Sequence, residues 1–137
     1  VYIESESRKV GNLAVPESLI LAMRASPCYQ LELPDDERVM LLMEDYDFFV
    51  KDPDLFSQRL DALVAIRGKQ VVEEWQALIK SGGIEQVVRD LLLTHYDPTY
   101  FASMKRNFAQ IDHAKIIKAS NRSNQSMMDL AKSMANT

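Results

Sequence analysis

The chain has 137 residues, a net charge of −4 and one cysteine. That length suits one domain with a real core, and the 47% hydrophobic fraction is ordinary for a globular protein. A framework of internal disulfides is excluded, no run of about 18 apolar residues marks a membrane span, and the acidic balance is not the global signature of a nucleic-acid binder. The lone Cys28 fits a reducing cytoplasm.

Val1, Tyr2 and Ile3 suit a packed strand over residues 1–4. It runs directly into Glu4, Ser5, Glu6, Ser7, Arg8 and Lys9 and closes at Gly11. Pro16 opens a helix through about Ala25, with Leu19, Ile20 and Met23 on one face. Cys28 to Leu33 alternate loosely and stop at Pro34, the pattern of a short strand. Asp35 is placed to cap the next helix, in which Val39, Leu42, Met43 and Tyr46 recur at helical spacing. Asp52-Pro53 is a cap followed by a proline at the first helical position. Phe56, Leu60, Leu63 and Val64 make one apolar stripe, interrupted by Gly68. Val71, Val72, Trp75, Leu78 and Ile79 make another, ended by Gly82-Gly83. Ile84, Val87, Val88, Leu91 and Leu92 give the cleanest amphipathic pattern. Asp97-Pro98 repeats the cap signal before Tyr100, Phe101, Met104 and Phe108. Residues 114–120 suit a short buried strand, 121–126 a polar loop, and Met127, Leu130, Ala131 and Met134 one face of a last helix.

Strands followed by helices at both ends of the chain argue for parallel pairing in an α/β layer. The expected architecture is helix-rich α/β, with a partial parallel sheet of about three strands at 1–4, 28–33 and 114–118. Residues 53–108 form a helical insertion. Three parallel strands leave edges and faces uncovered, so the sequence is expected to be the later part of a larger α/β domain.

Ligands of an open parallel sheet sit outside the carboxyl ends of its strands. Glu4 to Lys9 leave the first strand at that edge. A carboxylate there holds a magnesium-bound water, and a hydroxyl or guanidinium holds a phosphate. The stretch is either such an anion site or a polar strand exit whose charges neutralise one another. Arg38 follows the second strand in the first turn of its helix, where a cation gains nothing from the dipole. It is either a phosphate contact or a surface arginine paired with a neighbouring acid. His95, in "THYDPTY" at 94–100, extends the stripe of Ile84, Val88 and Leu92 and suits a core position. His95, His113 and Cys28 do not make a zinc spacing, and "RGKQ" at 67–70 lacks the glycine spacing and hydroxyl of a phosphate loop. Cys28, inside an apolar strand, suits an inert thiol. No residue is singled out as catalytic. The basic spots at Arg8–Lys9, Lys105–Arg106, Lys115, Lys118 and Arg122 are ordinary solvated charge on pattern alone.

Several segments taken together carry a resemblance. "VYIESESRKVGNLAVPESLILAMRASPCYQLELPDDERVMLLMEDY" is similar to the region that follows the phosphate-loop part of bacterial tRNA 2-selenouridine synthases, and "HYDPTY" and "SNQSMMDLAKSM" fit the same family in order. The E-S-E-S-R stretch before a glycine is its most specific part. The resemblance implies a longer protein, with a rhodanese-like domain carrying a catalytic cysteine and then a P-loop-type domain. Cys28 does not inherit that cysteine's role. The family replaces the sulfur of wobble 2-thiouridine with selenium from selenophosphate, through an S-geranylated intermediate made from geranyl diphosphate.

On this resemblance Glu4, Glu6, Ser7 and Arg8 orient diphosphate or selenophosphate, with magnesium as a candidate bridge and no tightly bound cofactor. Arg38 adds a positive contact. Lys9, Lys105, Arg106, Lys115 and Arg122 contact tRNA phosphates without reading sequence, and Tyr96 or Tyr100 stacks on the exposed base. The implied partners are tRNA, selenophosphate, geranyl diphosphate and the rhodanese-like and phosphate-loop segments of the same protein, with no membrane. The chain is expected to be inactive by itself. Two other readings stay open: part of a P-loop nucleotide or metabolite kinase, and a non-catalytic helical interaction module.

Overall fold

The structure is a computed structural model that describes residues 1–5 and 8–136. In chain order the elements are β1 (Lys9–Val10), β2 (Leu13–Ala14), α1 (Glu17–Ala25), β3 (Tyr29–Glu32), α2 (Asp35–Asp45), α3 (Asp47–Lys51), α4 (Pro53–Leu60), α5 (Val64–Arg67), α6 (Lys69–Lys80), α7 (Ile84–Asp90), α8 (Asp97–Asn107), β4 (Lys115–Lys118) and α9 (Asn124–Ala135). They fall into two compact units: residues 1–33 with 97–137, and residues 34–96. The helices expected over 53–108 are thus distributed between the two.

In the first unit, β3 and β4 pair in parallel, with Tyr29 opposite Lys115, Gln30 opposite Ile116, Leu31 opposite Ile117 and Glu32 opposite Lys118. Backbone bonds from Lys115 to Cys28 and from Ala119 to Glu32 frame the ladder at 2.9 and 2.8 Å. Among the described residues the sheet has two strands and not the expected three. Residues 1–5 form no strand, because strand geometry persists only where a neighbour supplies ladder hydrogen bonds. Val1, Tyr2 and Ile3 are exposed. The Tyr2 hydroxyl donates to the Met134 carbonyl at 2.9 Å, and its ring meets Tyr29 edge-on at 5.8 Å. Strand structure begins later, in the antiparallel hairpin of β1 and β2. Its two-residue turn starts at Gly11 with φ +60°, the backbone that a tight hairpin needs at that position.

Helix α1 buries Ile20, and its Arg24 Nε donates to the Asn107 carbonyl at 2.8 Å, satisfying a backbone group at the end of α8. Met104, Phe108 and Ala119 are also buried in this unit. Cys28 is half-buried just before β3, not enclosed within the strand.

The second unit has its own core. Phe56 and Leu60 from α4, Val72, Trp75 and Ile79 from α6, and Val87 from α7 pack together. Phe49 stacks on Phe56 at 5.2 Å. These residues recur three or four positions apart, which puts them on single helix faces. The Asp52 side chain accepts from the Leu55 backbone at 3.1 Å, and Pro53 opens α4, as the sequence indicates. Asp35 is not a cap: Pro34 precedes the first turn of α2 and Asp35 lies within it. Gln76 Nε2 ties α6 to the end of α4, donating to the Ser57 carbonyl at 2.9 Å and Asp61 Oδ1 at 2.8 Å. Gly68 separates α5 from α6 at φ +89° and ψ 152°, a region closed to side chains.

After α7 the chain widens into a π-turn over Leu91–Tyr96. Pro98 accounts for this locally. Its ring would meet the carbonyl of Thr94 in α geometry, and it has no N–H to give that carbonyl.

Two stability predictions follow from the core and from Gly68. Ile79→Ala should cost about 2–5 kcal/mol in urea unfolding followed by the emission of Trp75, the single tryptophan. Gly68→Ala should cost about 1–3 kcal/mol in the same assay through backbone strain alone, since no atom stands within 4 Å of the added Cβ.

Candidate functional site

The carboxyl end of the parallel pair is where an open sheet places its ligands. Here β4 runs through Ala119 into Ser120, Asn121, Arg122 and Ser123 before α9 begins. Asn121 Oδ1 accepts from the Ser123 backbone at 2.9 Å, and Ser123 Oγ accepts from the Ser126 backbone at 3.1 Å. The turn is therefore fixed by side-chain bonds that also cap α9. Arg122 is half-buried within it, with Nε out of solvent. Sequence reasoning singled out Arg122 but not Asn121 or Ser123, whose spacing before a helix is a recognisable cap signal.

The remaining candidates of the first unit sit on several elements. Glu4 is exposed, and its neighbour Ser5 lies 3.6 Å from the Met104 sulfur through Oγ. Glu6 and Ser7 lie outside the described residues. Arg8 stands 3.9 Å from Glu17 at the start of α1, and both side chains are exposed. Lys9 is in β1. Lys105 pairs with Asp112 at 3.4 Å, beside Arg106 on the last turn of α8. Lys115 and Lys118 are exposed at the two ends of β4. Tyr100 is half-buried and packs edge-on to Phe101 at 5.7 Å.

Two candidates belong to the second unit. Arg38 reaches Asp35 on its own helix at 3.5 Å and is partly buried, which is the paired arrangement that the sequence left open. From α7, Arg89 bonds the adjacent Asp36, and that hydrogen bond raises the Arg89 guanidinium above its ordinary pKa. Tyr96 is exposed at the end of the π-turn.

Charge separates along the same division. The first unit carries nine Lys and Arg against seven Asp and Glu, a net +2; the second carries seven against thirteen, a net −6; together they make the chain's −4. The acidic overall balance therefore conceals a basic unit. Among the described residues no group of three or more His, Cys, Asp or Glu is placed to hold a metal ion. Among them too, no helix is long and apolar enough to cross a membrane.

Comparison with known proteins bears on the early part of the chain, which runs through both units. Residues 1–62 match the family model of the tRNA 2-selenouridine synthase AAA domain. A curated protein of Marinobacter nauticus named tRNA 2-selenouridine synthase is 41% identical over 46 residues, which cover 34% of this chain and 12% of that protein. The chain thus aligns with a small part of that relative's length. No solved structure matches the chain. The resemblance seen in the residues stands on both findings over the early part of the chain.

The Arg8–Glu17 pair is exposed and long, so it adds little to folding. Arg8→Ala should shift the unfolding free energy by less than about 0.5 kcal/mol in urea titration. Any loss of function in that variant then belongs to binding and not to folding.

Proposed function

We propose that this chain is part of a tRNA-modifying transferase that replaces the sulfur of wobble 2-thiouridine with selenium from selenophosphate, by way of S-geranylation. The observation that carries this reading is the match of residues 1–62 to the AAA domain of tRNA 2-selenouridine synthases. The basic first unit supports it, because tRNA presents a dense array of phosphates.

In this reading the first unit belongs to a P-loop-type domain. Further parallel strands continue the sheet beyond the β3–β4 pair. Leu31 and Ile116 are more than half exposed, and parallel strands are ordinarily covered on both faces. Those strands and a rhodanese-like domain with a catalytic cysteine come from other parts of the same cytoplasmic protein, and this chain by itself is inactive.

Both co-substrates bear phosphate, so the site must hold negative charge and stabilise a leaving diphosphate. Arg8 supplies a guanidinium suited to two phosphate oxygens. Glu4, exposed beside it in sequence, is a carboxylate fit to hold a water of a magnesium ion whose other ligands are substrate phosphates. Magnesium there would neutralise phosphate charge. Glu6 and Ser7 complete the stretch, and Arg38, in the second unit, is a separate candidate phosphate contact. Lys9, Lys105, Arg106, Lys115 and Arg122 contact tRNA phosphates, and Tyr96 is the more open of the two stacking candidates.

The test is selenium incorporation into tRNA bearing wobble 2-thiouridine, by the longer protein supplied with geranyl diphosphate and selenophosphate. Selenium should enter the tRNA, and Arg8→Ala should lower turnover at least about tenfold, the loss expected when a charge-assisted phosphate contact goes. No selenium in the product would overturn the reaction. Unchanged turnover in Arg8→Ala would remove Arg8 from the site.

A further inference from the structure

The second unit ends in the π-turn at Leu91–Tyr96, and one side chain from a distant helix grips it. Arg67, at the end of α5, donates from Nη1 to the Thr94 carbonyl at 3.0 Å, across 27 residues of sequence. The partner is informative. In α geometry the Thr94 carbonyl would accept from residue 98, and residue 98 is proline. The guanidinium therefore supplies a donor that α geometry would not. Thr94 adds a second restraint, with Oγ1 donating to the Asp90 carbonyl at 2.6 Å.

Arg67 is not held there by charge. It is half-buried, its Nε is out of solvent with no acceptor, and among the described residues no carboxylate pairs with it. An arginine that accepts an unmet buried donor in order to reach one carbonyl is specialised for that carbonyl. Two residues past Thr94, Tyr96 stands 56% exposed. Pro98 disfavours the α register at Thr94, so loss of the clasp would loosen the turn, and with it the direction in which Tyr96 is presented.

We propose that Arg67 is a positioning residue: it holds the 91–96 turn open and sets the direction in which Tyr96 is presented. The clasp itself does not depend on the tRNA reading; only its use by a bound base rests on that reading.

Amide hydrogen exchange on the whole chain tests the clasp. Arg67→Ala should speed exchange at residues 95–97 by about tenfold or more and leave the amides of α6 unchanged, as expected for a local opening. Arg67→Lys keeps a donor and should restore much of the protection. Exchange at 95–97 equal to wild type in Arg67→Ala would overturn the proposal, as would acceleration spread evenly through α6. A tRNA titration of the same variants separates the two ideas. If Tyr96→Ala weakens binding, Arg67→Ala should weaken it by a comparable factor and the double variant no further; additive losses would overturn the coupling. If Tyr96→Ala leaves binding unchanged, the stacking role fails and the exchange result alone decides the clasp.

Discussion

The parallel pairing of Tyr29–Glu32 with Lys115–Lys118 is the constraint on which the first unit depends. Two parallel strands cannot be joined by a tight turn. Here the connection carries an entire second unit, residues 34–96, with a core of its own around Trp75 and Val87. Loop-closure entropy grows slowly with length, so such a long excursion between paired strands is tolerable once the inserted residues fold. The pairing also fixes the point at which β4 ends, and so where Asn121, Arg122 and Ser123 stand at the carboxyl edge of the sheet.

Charge gives each unit a different character. Thirteen of the twenty acids lie in residues 34–96, where Asp36 and Asp35 hold Arg89 and Arg38. A distant phosphate therefore meets a net negative unit there. The excess of Lys and Arg in the first unit is better suited to a polyanion, because attraction to phosphate is a long-range effect that sums over the surface. A whole-chain charge of −4 is therefore a poor guide to what this chain engages.

Much of the helical structure was legible in the residues. The cap at Asp52-Pro53, the break at Gly68 and the faces of α4, α6 and α7 follow from local spacing, which is encoded within a few residues. β3 and β4 were also visible, as short apolar runs bounded by Pro34 and by a polar loop. The opening strand was not realised. Val1–Ile3 have the composition of a strand, yet composition does not supply a hydrogen-bonding neighbour. The π-turn was hidden for a similar reason. Pro98 announces a disturbance, but the donor that resolves it, Arg67, is 27 residues away from Thr94. Asn121 and Ser123 are legible as a cap by their spacing before α9, a signal that the uniformly polar composition of 121–126 obscures.

Phosphate contacts between the basic first unit and tRNA are best tested by titrating the chain with unmodified tRNA at several salt concentrations. Binding should weaken linearly on a log–log plot of affinity against salt, and alanine at Lys105, Arg106 and Lys115 together should make the slope shallower by about 2–3 units. Absence of binding at low salt, or a slope that those substitutions leave unchanged, would contradict those contacts.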